Sequence, residues 1–578
     1  MKKIVNKNLK ISTMNTQKQT LVSIMLVSAA TAHAVDLPTA TQQANDDWRN
    51  QQQKIQELQQ EQHEKAAWTL QQNQANQPTK SGADRFIKSD KERAEELQAA
   101  TESTECLPQS KFVITGMNWL DPNDFRLPEN ECLSAKTLNQ LSREITAAYI
   151  KKGYVSTQLD FTNEGDTVTI AVREMKIREI TGGSRKVNVA TLFPNHKDKP
   201  LNVQYLDQGI DQANKVSGNN VSMDVYPHDD GTATIELKNE ASKPWFGQIT
   251  VDNKGSKSNR AVARLSAGVA SPLGLSDSLY VGAYANMARN ENHSQGANVF
   301  YTVPYGVWTF SAYGSVSDSR SVTEFASGAK LNYDSKNKAA GVKAERMISR
   351  GQKHITYAHA GVDYLNILSE YGGSKIAMQS PKLGVVQAGL SHTQTLDKGV
   401  WLSDLTVERG TRMFGAKDTD LSPFTSQFTN FVANTTLSQN RRLGQSKWIL
   451  RNQHRASVQF SDDDLYSTKQ IGVTDRSSVR GFANLTLNGN KGAYLNNTVF
   501  ARRYLDNGFY IEPYLGADAG VIKDETGWQR AFGGTVGLNF AYGSNWQINL
   551  ENAYGVAYPK QSDKIRQQQV TASIKFLF

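Results

Sequence analysis

The last ten residues of the chain, Gln569-Val570-Thr571-Ala572-Ser573-Ile574-Lys575-Phe576-Leu577-Phe578, decide how the rest of the sequence is interpreted. Counted back in twos from the end, one set holds Phe578, Phe576, Ile574, Ala572 and Val570, whereas the residues between them are mostly polar. Because successive side chains of a β-strand point to opposite faces, this alternation predicts a strand with one apolar face. A chance amphipathic strand has the same pattern, so the assignment depends on the remaining sequence.

The overall hydropathy leaves one class of membrane protein open. The 578 residues carry a net charge of +9, and their mean hydropathy is −0.54. No uninterrupted apolar run reaches the ~18–20 residues of a spanning helix, so a helical membrane protein is not expected. A membrane β-barrel remains possible, because its strands alternate apolar and polar residues and the average hides them. A final strand that ends on an aromatic residue is typical of bacterial outer-membrane barrels.

Composition changes at residue 244. Only nine of the 42 glycines precede it, and the segment 244–578 is rich in Tyr, Phe and Trp. This segment contains sixteen alternating stretches, the first starting near 245 and the last near 567. In one of them Trp448 and Leu450 mark the apolar face, and Arg451 and Arg455 mark the polar face. The pattern predicts a 16-stranded antiparallel transmembrane barrel with a water-filled interior and a long loop at 461–492.

Residues 1–34 have the composition of an export signal. Basic residues precede an apolar stretch from Leu21 to Ala32, and Ala32-His33-Ala34 supplies the small-residue cleavage pattern. The long basic region also allows a start at Met14. The alternative is a buried helix of a soluble protein, although nothing amphipathic surrounds the apolar stretch. We therefore expect export into an oxidising compartment.

The segment that follows the signal is polar. Thirteen glutamines lie between residues 42 and 77, and Trp48, Ile55 and Leu58 form a thin apolar stripe on a predicted helix at 35–74. Such a helix shields little core and is marginal alone. The polar interior of a wide barrel could hold it, and a free N-terminal tail is the alternative. Residues 75–104 are predicted to be a linker.

Between the linker and the barrel, two α/β units follow each other at 105–175 and 176–243. Each has a strand, a helix and a hairpin, so the fold class is mainly β with an α+β part. Cys106 and Cys132, the only cysteines, lie in the first unit. In an exported chain they are expected to form a disulfide, and closing a loop of about 27 residues stabilises by roughly 3 kcal/mol. Two cysteines without a nearby histidine disfavour a metal site.

The order of these parts resembles the two-partner secretion transporters of the TpsB type, and the resemblance covers essentially the whole mature chain. The α/β units are similar to POTRA domains, carried by Tyr149-Ile150-Lys151-Lys152-Gly153-Tyr154 and by the segment from Leu201 to Ser222. Pro304-Tyr305-Gly306 matches a periplasmic turn of the family. The most specific match is Val479-Arg480-Gly481-Phe482, which in the family forms the tip of a long loop folded into the barrel. The resemblance implies that Arg480 contacts Asp518 on the inner wall of the thirteenth strand.

The resemblance also implies a function. The chain is expected to lie in the outer membrane of a Gram-negative bacterium, with both POTRA domains in the periplasm. It is expected to secrete one large β-rich exoprotein that carries an N-terminal secretion domain, with no nucleotide hydrolysis. The N-terminal helix would plug the barrel at rest, and the basic lumen residues Arg451, Arg455 and Arg502 would favour hydrated passage. Outer-membrane lipid, periplasmic chaperones and the barrel-assembly machinery are the other expected partners.

Several alternatives remain at this stage. A barrel-assembly insertase shares the loop motif but normally has more POTRA domains, and a self-exporting adhesin would carry a long β-helical passenger before its barrel. The sequence has no recognisable catalytic constellation, cofactor motif or metal-ligand cluster, so an enzyme is not expected. No compact basic stripe points to nucleic acid. Within the family we favour the contact-dependent growth-inhibition transporters, with haemolysin and adhesin exporters left open.

Overall fold

The computed structural model describes residues 54–61, 63–64, 111–125, 134–154, 156–164, 167–241, 243–256, 258–288, 290–324, 328–351, 353–418, 423–505 and 508–578. The predicted signal segment, Trp48, the linker and both cysteines lie outside these ranges. None of the described helices combines the length and the apolar character that crossing a membrane requires.

Residues 245–577 form a closed barrel of sixteen strands, as predicted. Every strand pairs antiparallel with its neighbours in sequence, and the last strand pairs with the first. The strands are β7 Trp245–Asp252, β8 Val262–Ala270, β9 Ser278–Asn286, β10 His293–Tyr305, β11 Trp308–Glu324, β12 Lys330–Arg350, β13 His354–Tyr371, β14 Lys382–Leu396, β15 Gly399–Thr411, β16 Thr429–Arg442, β17 Trp448–Phe460, β18 Lys491–Tyr504, β19 Phe509–Asp524, β20 Gly527–Tyr542, β21 Trp546–Tyr558 and β22 Ile565–Leu577. Strands such as the 21-residue β12 exceed the ~9–11 residues that a bilayer requires and extend beyond it.

The two faces of the barrel wall differ in chemistry. On β21, Trp546, Leu550 and Tyr554 are exposed outside, whereas Glu551 and Asn549 form hydrogen bonds on the inside. The same alternation runs along the other strands, because the outer face meets lipid and the inner face meets water or polar chain. The alternation read from the C-terminal residues is therefore confirmed.

The barrel closes at its C-terminal residue. The backbones of Gly247 and Phe578 exchange two hydrogen bonds of 3.1 and 3.0 Å. The Phe578 ring covers Gly247 on the outer face, and it lies 6.2 Å from the ring of Trp245. The aromatic C-terminus thus packs across the seam between the first and the last strand.

Two α/β units precede the barrel; each has three strands, the first has one α-helix and the second has two. The first has β1 Lys111–Thr115, α1 Ala135–Lys151, β2 Gln158–Glu164 and β3 Thr167–Arg173; the second has β4 Lys176–Thr181, α2 Val189–Leu192, α3 Val203–Lys215, β5 Val221–Pro227 and β6 Thr232–Asn239. Both sheets have the same order, with the last strand in the middle, β1-β3-β2 and β4-β6-β5. Ser134 caps α1 and Asn202 caps α3 with their side-chain oxygens, which fixes where each helix begins.

The second unit lies against the turns at one end of the barrel. The backbone N–H of Gly306, in the turn between β10 and β11, donates to the carbonyl of Thr191 over 2.7 Å. Asn188 donates to the carbonyl of Gly274 over 2.8 Å, and Thr191 donates to the carbonyl of Leu275 over 2.9 Å. The Pro304-Tyr305-Gly306 turn therefore faces the second unit.

We predict that Gly247→Leu weakens closure of the barrel. A side chain at position 247 would collide with the ring of Phe578, and overpacking of this kind costs about 1–3 kcal/mol. The measurement is the temperature at which the folded band disappears on SDS gels, which we expect to fall. Gly534→Leu is the matched control, because a Cβ atom added at Gly534 would have no other residue's atoms within 4 Å. Equal temperatures for the two variants would contradict the packing role of Phe578.

Candidate functional site

The loop between β17 and β18 folds into the barrel. Its apolar residues form one buried cluster with residues of the adjacent wall: Ile471, Val473, Val479, Phe482 and Leu487 from the loop, and Ile522, Ala531 and Ala557 from β19, β20 and β21. Burial of this many apolar side chains holds the loop inside the barrel rather than above it. The loop tip carries the predicted motif from Val479 to Phe482.

Arg480 and Asp518 form a two-pronged ion pair inside the barrel. Arg480 donates from Nε to Asp518 Oδ2 and from Nη2 to Asp518 Oδ1, both over 2.8 Å. The Arg480 backbone N–H adds a third bond of 3.1 Å to Oδ2. The residues are only 6% and 5% exposed, so the planar guanidinium is matched by a carboxylate where water is largely excluded. The two predicted residues are in contact.

The barrel wall provides room for the loop tip through glycines. A Cβ atom at Gly516 would collide with the Arg480 guanidinium, and one at Gly555 would lie 2.7 Å from the Phe482 ring. At Gly533 it would lie 2.5 Å from the Arg480 carbonyl oxygen. Gly481 has φ of 103°, which only glycine adopts readily. The tip and the wall are therefore complementary in shape as well as in charge.

A second acidic residue reaches Arg480 from β21. Glu551 Oε2 lies 3.8 Å from Arg480 Nη1, and it accepts a hydrogen bond of 3.0 Å from the Tyr514 hydroxyl. Sequence analysis did not identify Glu551. The available signal was its inward position between the exposed Leu550 and Asn552 in the alternation of β21.

The start of the loop is held by a second set of contacts. Lys469 donates to Glu408 of β15 over 2.8 Å. Leu465 and Tyr466 pack in an apolar cluster with Leu383 and Phe428. The loop is thus attached to the wall both near its first residues and at its tip.

The three predicted basic lumen residues differ in their surroundings. Arg451 and Arg502 both bind Glu512, at 2.8 and 2.6 Å, and Glu512 is buried. Arg455 interacts electrostatically with Glu64 of the N-terminal helix. The basic surface expected from the sequence is therefore partly neutralised by carboxylates that belong to the same chain.

Helical residues 54–61 and 63–64, hereafter the lumen helix, lie inside the barrel. Ile55 and Leu58 are buried in a cluster with the inward-facing Tyr280 and Phe300. His63 Nε2 lies 3.2 Å from Glu345 Oε2 on β12. Two of the three residues of the predicted apolar stripe thus contact the inner wall. Within the described ranges no cluster of His, Cys, Asp and Glu is suited to a metal ion.

Sequence comparisons identify relatives of this architecture. Residues 231–540 match the model of the family described as haemolysin secretion/activation protein ShlB/FhaC/HecB. Residues 108–174 match a POTRA domain of the ShlB type, and residues 172–227 match a POTRA domain. The hemolysin transporter protein HpmB of Proteus mirabilis is 32% identical over 83% of this chain and 88% of its own length. The outer membrane transporter CdiB of Escherichia coli O6:K15:H31 is 27% identical over 75% of this chain and 74% of its own.

Solved structures show the same fold. CdiB from Escherichia coli superposes with a TM-score of 0.75 at 20% identity, covering 89% of this chain and 98% of that one. CdiB from Acinetobacter baumannii gives a TM-score of 0.72 at 17% identity, covering 94% of this chain and 100% of that one.

We predict that Asp518→Asn detaches the loop tip. Removing one charge of a buried pair costs about 3–5 kcal/mol, because the Arg480 guanidinium is left without its carboxylate. Protease cleavage within 471–489 of the membrane-embedded protein should become faster, while the barrel still inserts. Asp462→Asn is the control, because that carboxylate belongs to the same loop but is 75% exposed. Unchanged cleavage in Asp518→Asn would show that the pair does not hold the loop.

Proposed function

Because the chain belongs to the ShlB/FhaC/HecB family of haemolysin secretion/activation proteins, we propose that it secretes one large β-rich exoprotein through its barrel. It is an outer-membrane transporter of the two-partner secretion type, and its POTRA domains lie in the periplasm. The exoprotein is the TpsA-type partner that carries an N-terminal secretion domain. No step of this function requires catalysis by the chain.

The interior of the barrel is the observation that carries the proposal. Sixteen strands enclose a lumen wide enough for an aqueous channel. Here that space holds a loop and a helix of the same chain, attached through polar and charged contacts. A polar lumen with a removable occupant suits the passage of an unfolded, hydrated polypeptide.

The exoprotein is proposed to dock on the POTRA domains by strand addition. In the described residues β2 and β5 are edges of their sheets, and each has only one strand partner. An edge strand offers unpaired backbone N–H and C=O groups to an extended peptide. Folding of the β-rich exoprotein outside the cell would then make export directional without nucleotide hydrolysis.

Two classes of exoprotein are candidates. A contact-dependent growth-inhibition toxin is the class favoured by sequence analysis, and CdiB proteins are among the relatives. A haemolysin is the second candidate, because the hemolysin transporters HpmB and ShlB are 32% and 31% identical to the chain, compared with 27% for CdiB. Outer-membrane lipid, periplasmic chaperones and the barrel-assembly machinery are proposed as partners in biogenesis.

The test is secretion of the exoprotein encoded beside the gene of this chain. Cells that contain both proteins should release the N-terminal secretion domain into the medium, and cells with the Asp518→Asn transporter should retain it in the periplasm. An exoprotein that reaches the medium equally well without the transporter would refute the proposal. The sequence of the released protein would also decide between the toxin and the haemolysin.

We predict that the lumen helix restricts the pore. Ile55→Gln combined with Leu58→Gln removes the apolar contacts with Tyr280 and Phe300, each worth about 1.5–3 kcal/mol. The open fraction in planar-bilayer recordings of the full chain should rise, and deletion of residues 36–70 should set its upper limit. Glu57→Gln is the control on the same helix, because Glu57 is exposed. A deletion variant with unchanged conductance would show that the helix is not a plug.

A further inference from the structure

The helix α3 of the second POTRA domain has a polar face that is buried rather than solvated. Asp207, Asp211 and Lys215 follow each other at intervals of four residues and therefore share one side of the helix. Leu206 and Ile210 pack in the core of the domain. Because the polar face is turned toward the barrel, charged groups become buried at the junction of the two parts.

Arg350, at the end of β12, binds this polar face. Its Nη1 lies 3.0 Å from Asp207 Oδ2, and its Nη2 lies 2.8 Å from Asp211 Oδ2. Burial raises the pKa of Asp211 to about 6, and the Arg350 guanidinium opposes that rise. The adjacent Gln212 donates to the Thr309 hydroxyl over 3.0 Å. One arginine of the barrel thus joins two carboxylates of the POTRA domain.

The last turn of α3 reaches the inner wall beside the lumen helix. The Lys215 ammonium lies 4.8 Å from the centre of the Tyr357 ring on β13. Burial lowers the pKa of Lys215, and the carboxylates of Glu345 and Asp211 oppose that change. The last turn of α3 therefore packs on Tyr357 through Lys215, and the same ammonium group is close enough to Glu345 to interact with it electrostatically.

The same two wall residues hold the lumen helix. The His63 ring lies 5.1 Å from the Tyr357 ring, edge to face, and His63 Nε2 lies 3.2 Å from Glu345. Tyr357 is only 1% exposed, with α3 on one side and the lumen helix on the other. The POTRA domain and the lumen helix do not need to touch, because both bind this pair.

We propose that Arg350 is a positioning residue for secretion: it docks α3 over Tyr357 and Glu345, and docked α3 holds the lumen helix in the barrel. An exoprotein that binds the POTRA domains and shifts α3 exposes Glu345 to water. A polar contact is weaker in water than when buried, so the His63 contact weakens and the helix is released. The inference rests on the proposed plugging role of the helix.

Arg350→Gln tests this coupling in the full chain. The variant leaves Asp207 and Asp211 unpaired, so α3 should undock and the open fraction in planar bilayers should rise about fivefold or more, the lower end of typical allosteric coupling. Arg346→Gln is the matched control: it lies on the same strand, and its guanidinium stacks on Trp308 rather than on α3. Equal open fractions in Arg350→Gln and the parent chain would overturn the proposal.

A double-mutant cycle separates coupling from general damage to the fold. His63→Ala should itself raise the open fraction, and adding Arg350→Gln should then change it by less than in the parent chain, because the contact that α3 protects is gone. Fully additive effects would contradict the relay. If Arg350→Gln fails to insert, Asp211→Asn provides the same measurement from the POTRA side.

The same measurements distinguish coupling through α3 from plugging by the lumen helix alone. If deletion of residues 36–70 opens the pore but Arg350→Gln and Asp211→Asn do not, the helix is a plug that is independent of α3. If the deletion leaves conductance unchanged, the helix is not a plug, and the proposed plugging role is refuted rather than the coupling alone. Reciprocity adds a further check: Gln212→Cys should react about fivefold faster with maleimide in the deletion variant than in the full chain. An unchanged rate would count against the coupling.

Discussion

Closure of sixteen strands into one ladder is the constraint on which the rest of the structure depends. In hydrocarbon, each unpaired backbone group costs several kcal/mol, so the first and last strands must find each other. They do so through residues 248–252 and 573–577, and Phe578 extends the ladder by one more pair with Gly247. The alternating C-terminal residues have a separate cause, because the outer face of the closed wall meets lipid and the inner face meets water or polar chain.

Closure at this strand number creates an interior that sixteen strands cannot fill with their own side chains. The chain fills part of it with a loop and a helix, and the wall adapts to each. Opposite the loop tip, β19 to β21 carry glycines and the carboxylates Asp518 and Glu551. Opposite the helix, the wall carries Tyr280, Phe300 and Glu345. The charges of the lumen are therefore largely matched within the chain before any exoprotein enters.

The sequence predicted those features that local periodicity or a motif encodes. Sixteen strands, both α/β units and the contact between Arg480 and Asp518 fall in this class. Glu551, the pairing of Glu512 with two arginines and the docking of α3 do not, because each depends on barrel curvature and on which strands face each other. The charged face of α3, formed by Asp207, Asp211 and Lys215, illustrates this limit. Charged residues on one face of a helix normally indicate exposure to solvent. Here Arg350, at the end of a strand distant in sequence, pairs with both carboxylates, and the face becomes part of an interface.

The two occupants of the lumen differ in how firmly they are held, and from this difference we infer an order of events for the proposed transport. The loop is covalently joined to the wall at both ends, and it combines a buried, two-pronged ion pair at its tip with five buried apolar residues along its length. The lumen helix has two buried apolar side chains, Ile55 and Leu58, and its His63 contacts both Glu345 and the Tyr357 ring. The Glu345 carboxylate is buried, so its contact with His63 is stronger while α3 is docked than after water reaches it. If α3 is displaced as we propose, the helix becomes easier to remove while the contacts of the loop stay in place, so we expect the helix to leave first and the loop to remain as part of the channel wall.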